Sequence, residues 1–300
     1  MNEVIIQTEQ LSKRYGAQLA LNQLNLSVQR GEIFGYLGPN GAGKTTTIRI
    51  LLDLIRPSQG KATIFGLNSQ ADSVALHHRI GFMPGELNLW PNQLGRNIVR
   101  YMASVRGNVD MRYVGELVER LQLDLNKRMR DYSTGNKRKL GLILALMHKP
   151  DLLILDEPTS GLDPLMQQIF NELMRECREA GRTVFLSSHL LSEVQAICDR
   201  VGILRGGELK AVETVSKLTH ADFRWVTIEF RDRPMLSNLG TIAGVQDLTV
   251  NDHTVKLRLF GDFDPLLRAV SDQYVVNLKI NEPTLEEIFL AFYGEQRQLV

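Results

Sequence analysis

Short apolar runs separated by polar turns fill the first third of the chain. VIIQTEQ, LNQLNLSV and the run Glu32 to Leu37 predict strands, with Lys13-Arg14-Tyr15-Gly16 and Gln29-Arg30-Gly31 as the turns between them. They read as an antiparallel sheet feeding the third strand. Thr45 to Leu54 is apolar at helical spacing and is stopped by Arg56-Pro57-Ser58-Gln59-Gly60. Residues 61–66 and Ile80 to Met83 predict two further strands. From Leu94 to Leu125 the period lengthens to that of a helix, through Ile98, Tyr101, Met102 and Val105, then Val114, Leu117, Val118 and Leu121. Two helices with no strand between them predict an inserted helical lobe over about residues 86–149, which a third helix from Ser133 to Lys149 completes. Within the lobe Tyr101 and Met102 read as packing residues.

The pattern then turns to fully buried strands. Asp151 to Leu155 and Thr183 to Ser188 are continuous apolar runs of the kind that lie inside a parallel sheet. Between them a helix is expected, with Asp163 as N-cap, Pro164 in its first position and Gly181 just past its end. Arg200 to Val212 predicts a hairpin turning at Gly206-Gly207, and residues 213–223 a linker. Beyond it the order is strand (225–230), helix (235–239), strand (245–250), strand (254–260), helix (265–273) and strand (274–280). That order is the ferredoxin-like split unit. A closing helix follows the capping box Thr284-x-x-Glu287, with Ile288, Phe289 and Phe292 on its apolar face.

The chemistry sits at the strand ends. Gly38-Pro39-Asn40-Gly41-Ala42-Gly43-Lys44-Thr45-Thr46 fits G-x-x-x-x-G-K-S/T between a buried strand and a helix. A triphosphate is held most cheaply by backbone N–H groups at a helix N-terminus, where the helix dipole also favours anions. Lys44 would reach the β- and γ-phosphates and the Thr45 hydroxyl would ligate Mg2+. Asp156 and Glu157 end an apolar strand, where two carboxylates are costly without a task. Asp156 would hold Mg2+, and Glu157 would orient and deprotonate an attacking water. His189 follows the next buried strand, where sheets of this type place ligands. Ser133 and Gly135 at a helix N-terminus make a second anion site. The cations near it, Lys127, Arg128, Arg130, Lys137, Arg138 and Lys139, read mostly as a solvated basic face. Tyr15 either stacks on a purine or caps the sheet edge.

Composition narrows the class. With 300 residues and 43% hydrophobic side chains the chain has material for one large and one smaller domain. Residues 1–220 carry 27 Lys and Arg against 22 Asp and Glu, and residues 221–300 carry 8 against 12. An acidic tail argues against a nucleic-acid partner. Cys177 and Cys198 lack C-x-x-C spacing, so neither a zinc site nor a disulfide framework is expected and a reducing cytoplasm suits them. Glu3 and Glu9 in the first ten residues do not fit a secretory signal. The longest apolar run, Leu140 to Met147, is far short of the roughly 20 residues of a spanning helix. Asn126-Lys127 and Asn136-Lys137 lack the following Asp of a guanine site.

Tyr15, GPNGAGKTT, YSTGN, LLILDEPTSGLDP and SSHLLSEV together occur in the order and spacing of an ATP-binding cassette (ABC) ATPase, a resemblance covering about residues 3–212. It implies an α/β fold in which a P-loop ATPase core carries an antiparallel β subdomain and the helical lobe. The domains would be 1–220, binding ATP with Mg2+, and 221–300, a small α+β accessory domain of the kind found on some transporter ATPases, closing with EPTLEEIFL. The resemblance also implies that Tyr15 stacks on adenine, Ser133 and Gly135 belong to the signature motif, Asp163 to the D-loop, and His189 is the switch histidine. The family works as a head-to-tail homodimer around ATP, on a separate membrane permease that here would dock beside residues 80–106. The chain would then be cytoplasmic and peripheral to the membrane, and the tail favours export. The rival readings are a cassette acting on nucleic acid or ribosomes and a regulatory ATPase. Two departures stand out. Thr134 and Asn136 replace a signature glycine and glutamine, and Gly85-Glu86 stands where the family has a metal-reaching glutamine. Glu86 is expected to substitute as a metal ligand, the other option being a hinge made of backbone alone.

Overall fold

The computed structural model describes residues 3–219, 223–234 and 239–281. The chain divides into two compact units, Met1–Val215 and Ser216–Val300.

The first unit holds two sheets. β1 (Val4–Tyr15) and β2 (Gln18–Gln29) pair antiparallel over nearly their whole length, longer than their apolar cores alone suggested. With β4 (Gln59–Ile64) and β5 (Leu67–Asn68) they form a sheet ordered β2-β1-β4-β5. β3 (Ile33–Leu37) leaves that sheet and enters the middle of a second one, because all five of its residues are buried and need partners on both edges. Its neighbours there are β8 (Thr183–Ser188) and β9 (Arg200–Arg205), both parallel to it. β7 (Leu152–Asp156) and β6 (Ile80–Met83) extend the sheet on one side, and β10 (Glu208–Thr214) turns back on β9 at Gly206-Gly207 on the other. The order β10-β9-β3-β8-β7-β6 puts the C-terminal ends of β3, β7 and β8 side by side.

α1 (Lys44–Leu51) follows β3 and stops short of the expected Leu54, and Asp53 beyond it takes a left-handed conformation. α2 (Ser73–Arg79) has no counterpart in the sequence reading, since with Leu76 as its one buried residue it shows no apolar period. The lobe contains the two expected helices, α3 (Gly95–Arg106) and α4 (Met111–Arg120), separated by Gly107 with positive φ and an Asp110 cap that accepts from the Arg112 N–H. α5 (Thr134–Leu146) starts from the Ser133 cap and ends three residues before Lys149. α6 (Pro164–Glu179) is capped by Asp163, and α7 (Leu191–Ile197) leads to β9. Phe34, Tyr36, Ile48, Leu152, Ile154 and Phe185 pack in one core, with the Phe34 and Phe185 rings stacked at 5.9 Å. Each such side chain contributes about 1.5–3 kcal/mol by burial. Cys177 and Cys198 are buried free thiols, and burial pushes Cys177 up to about 11, so neither is a ready nucleophile.

The expected linker is shorter than residues 213–223. Glu213 and Thr214 belong to β10, and α8 (Val215–Thr219) follows at once. The second unit has β11 (Phe223–Phe230), β12 (Val245–Asn251), β13 (Thr254–Phe260), α9 (Asp264–Ala269) and β14 (Val275–Asn281). Its four strands form one sheet, ordered β12-β13-β11-β14, in which every neighbouring pair is antiparallel. Val226, Ile228, Val255, Leu257 and Leu259 alternate onto one face and pack against Leu266 and Val270. The helix expected at 235–239 falls mostly outside the described residues, as does the closing helix with Ile288, Phe289 and Phe292. No described helix is long and apolar enough to cross a membrane.

Candidate functional site

β3 is buried throughout, and the loop that follows it is held on several sides. The Gly38 N–H donates to the Ser188 carbonyl at the end of β8, and the Gly207 N–H donates to the Ala42 carbonyl. Gly43 caps α1 with φ 109°, and a Cβ there would stand 2.7 Å from the Ala20 carbonyl oxygen, so only glycine fits. Behind the loop the Tyr36 hydroxyl meets Thr47 Oγ1 at 3.1 Å, and complete burial raises the Tyr36 phenol well above its ordinary pKa. Pro39, Asn40, Gly41, Ala42, Gly43, Lys44, Thr45 and Thr46 line one open cleft with Tyr15, Gln18, Ala20 and Glu157. Tyr15 is exposed at the end of β1 and lines the cleft edge, with Lys13 Nζ 5.1 Å over its ring.

Lys44 is the buried cation of the cleft, only 6% exposed. Its Nζ donates to the Gly38 carbonyl at 2.6 Å and the Pro39 carbonyl at 3.3 Å, and it pairs with Glu157 Oε1 at 3.3 Å. The other Glu157 oxygen, Oε2, lies 2.6 Å from His189 Nδ1. Thr45 Oγ1 donates to Asp156 Oδ2 at 2.9 Å. The chain therefore brings Lys44, Thr45, Asp156, Glu157 and His189 to one spot, at the adjoining ends of β3, β7 and β8.

Ser187 is a site residue the motifs do not mark, its one signal in the sequence being a serine in the apolar run of β8. Its buried Oγ donates to Asp156 Oδ1 at 2.6 Å and accepts from the Glu157 N–H at 3.1 Å. Glu157 sits at φ 50°, a left-handed conformation that costs a non-glycine residue about 1–3 kcal/mol. Ser187 thus fixes one carboxylate by its side chain and the next by its backbone. Ser187→Ala is expected to slow ATP turnover about 10-fold, the scale of one lost hydrogen bond to a charged group, while ATP affinity holds. Steady-state kinetics beside equilibrium ATP binding check this, and an unchanged kcat would contradict it.

Other expected site residues lie elsewhere. Ser133 is exposed as the cap of α5, its Oγ accepting from the Asn136 N–H, and it does not line the Lys44 cleft. Gly135 packs tightly on the neighbouring loop, where a Cβ would come 2.9 Å from the Gly161 carbonyl oxygen. Asp163 caps α6 through the Met166 N–H at 2.9 Å. Glu86 is exposed and makes no hydrogen bond or ion pair among the described residues. The side-chain direction that faces the Asp156 carboxylate belongs to Gly85, whose Cβ would stand 3.3 Å from Oδ2. Arg138 departs from the solvated basic face expected of most of the cations near Ser133, being only 8% exposed.

A phosphate-cradling loop between a buried strand and a helix, with two carboxylates at the end of β7 in the same parallel sheet, defines a P-loop nucleoside triphosphatase. The family model described as ABC transporter matches residues 21–160. The bacitracin transport ATP-binding protein BcrA of Enterococcus faecalis is 34% identical over 97% of this chain and 97% of its own length. The Nod factor export ATP-binding protein I of Cupriavidus pinatubonensis is 31% identical over 97% of this chain and 91% of its own. Among solved structures, an ATP binding subunit of an ABC transporter is 30% identical, with a TM-score of 0.67 over 71% of this chain and 91% of that one. The chain belongs to the ATP-binding subunits of ABC transporters, and its activity is ATP hydrolysis. The likeness to BcrA at 97% coverage runs through both units.

Proposed function

We propose that the chain hydrolyses ATP as a head-to-tail homodimer and so drives a separate membrane permease, in the direction of export. The carrying observation is that the two anion-binding helix N-termini are apart: the Lys44 cleft is complete on one side, and the Ser133 cap of α5 opens to solvent without reaching it. Each would serve a phosphate group of the same nucleotide only if a second copy supplied the other half.

In this reading Tyr15 stacks on adenine, and the N–H groups of Gly38 to Thr46 cradle the phosphates. Lys44 turns from Glu157 to the β- and γ-phosphate oxygens as they enter. Glu157, relieved of that ion pair, accepts a proton from the attacking water, while His189 holds its other oxygen. Ser133, Gly135 and Asp163 of the partner copy close over the γ-phosphate. Thr45 Oγ1 and Asp156 Oδ2, hard oxygens already 2.9 Å apart, fit Mg2+. Among the described residues no group of three or more His, Cys, Asp or Glu could hold a metal, so this ion would arrive sharing the phosphate oxygens. Bound there, it would offset charge on the phosphates.

The permease contact is supported by an apolar groove between α1, α2, β6 and α3, lined by Leu52, Leu54, Val74, Phe82, Val105 and Arg106. Leu54, Val74 and Val105 are 56, 76 and 61% exposed, a pattern that suits a docked helix. This contact would hold the chain at the cytoplasmic face of the membrane. Export is favoured by the relative named for Nod factor export. Residues 1–220 form the ATP-binding domain in this reading, and 221–300 an accessory domain whose strand order supports the ferredoxin-like split unit.

A mixing experiment tests the shared site. Lys44→Ala and Ser133→Arg chains, each inactive alone, are expected to regain ATPase activity when mixed, because one of the two composite sites in the mixed dimer keeps both intact halves. At equal amounts about a quarter of wild-type turnover per chain is expected if one site works alone. No recovery would count against head-to-tail sharing.

A further inference from the structure

We propose that Arg138 is a positioning residue for hydrolysis, a buried clamp that ties the loop Pro84-Gly85-Glu86 to the end of β7. The inference rests on the roles given above to Asp156 and Glu157.

Arg138 stands in the second turn of α5, on the helix face that Gly141, Leu142 and Ala145 continue, all of them buried. A guanidinium there is costly unless it is bonded. Among the described residues no carboxylate lies within ion-pair distance of it. Its Nη1 instead donates to two backbone carbonyls, Pro84 at 3.0 Å and Asp156 at 3.5 Å. Burial holds the guanidinium below its ordinary pKa, with the charges of Asp156, Glu157 and Glu86 acting against that shift. A leucine or methionine would fill the same space without the desolvation penalty, so the charge is there for what it bonds.

The two carbonyls belong to different elements, and both adjoin the reacting groups. Pro84 precedes Gly85, whose missing side chain would face Asp156 Oδ2 at 3.3 Å. Among the described residues no side chain of this loop hydrogen-bonds to the Asp156 carboxylate. Arg138 supplies the link through the backbone. A displacement of the loop is passed to the Asp156 carbonyl, and from there to the Asp156 carboxylate and to Glu157, the next residue. Because Ser133 caps α5, the same side chain also joins the exposed cap to the strand end. Arg138 hydrogen-bonds to none of the residues that line the ATP cleft. Its loss should therefore cost turnover and spare ATP affinity.

The test uses the full chain with Arg138→Met, which keeps the volume and removes both bonds, and Arg138→Lys, whose single ammonium reaches one carbonyl. ATP turnover is expected to fall about 10-fold or more in the methionine variant, matching one or two lost charge-assisted bonds, and to be intermediate in the lysine variant. The dissociation constant for ATP should stay at the wild-type value in both. Amide hydrogen exchange at Gly85 to Leu87 and at Glu157 should quicken in both. If the methionine variant does not fold, the lysine variant decides by the same three readings. Wild-type kcat and exchange in the variants would overturn the clamp. So would a loss of ATP affinity and melting temperature in step with kcat, which marks a merely structural arginine. Glu157→Gln, measured alongside, separates the two ideas: full turnover there would sink the site reading itself, whereas its failure to turn over beside unaffected Arg138 variants would sink only the clamp.

Discussion

Glu157→Gln is expected to bind ATP as tightly as the wild type and to hydrolyse it about 10²- to 10⁴-fold more slowly, the range lost with a general base. Glutamine has the shape of glutamate and keeps an oxygen and an N–H for neighbours, but it cannot take a proton from water. The geometry also argues that binding will not suffer. Glu157 Oε1 occupies Lys44 at 3.3 Å, so the carboxylate competes with the incoming phosphates for the ammonium. An amide competes less. With the nucleotide bound and uncleaved, two copies should remain joined, and light scattering with ATP and Mg2+ should report a dimer. Turnover near wild type would remove Glu157 from the proton transfer, and a persistent monomer would remove the shared site.

The parts of this molecule that sequence reveals are those where local pattern and local chemistry coincide. GPNGAGKTT lies between a five-residue buried run and an apolar helix, and each glycine and the lysine has a purpose that can be stated without coordinates. The strand pattern of residues 225–280 is equally legible, because alternation of period two marks each strand of a half-buried sheet. Which strands pair is another matter. β3 reads as a strand fed by the leading sheet, but its partners, β8 and β9, lie about 150 residues further on, a partnership set by burial on both faces and by no neighbouring residue. Arg138 shows the same limit for a side chain. In sequence it is one of three consecutive cations, and nothing in Lys137-Arg138-Lys139 says which turns inward. Helical periodicity does not decide it either, since the positions four residues on, Gly141, Leu142 and Ile143, are all buried; the carbonyls of Pro84 and Asp156 give the Arg138 guanidinium a bonded place inside. Gly85 and Glu86 make the point at its finest scale. Glu86, the carboxylate expected to replace a missing glutamine, is exposed, while the position whose Cβ would stand 3.3 Å from Asp156 Oδ2 is Gly85.

Lys44→Ala is expected to weaken ATP binding at least 100-fold, and the reason is double. The ammonium is buried and its contacts with the phosphates would be charge-assisted, each about 1.5–3 kcal/mol, so one or two lost bonds already account for about 10- to 100-fold or more. Its removal also leaves Glu157 without its cation, 20% exposed at the edge of the cleft, where a negative charge then faces the incoming triphosphate. The second effect can be separated from the first. In the double variant Lys44→Ala with Glu157→Gln the lost bonds remain lost but the repulsion disappears, so ATP should bind more tightly than to Lys44→Ala alone. The two substitutions are then non-additive, as residues in one charge network are. Equilibrium titration of ATP onto the wild type, both single variants and the double variant measures the coupling. Melting temperatures of the four chains show whether the Gly38 and Pro39 carbonyls, which lose a donor in Lys44→Ala, disturb the loop on their own account. Unchanged affinity in Lys44→Ala would mean the triphosphate is held by the backbone alone. Equal affinity in the single alanine variant and the double variant would mean that Glu157 does not oppose ATP entry, and that the Lys44 to Glu157 contact plays no part in binding.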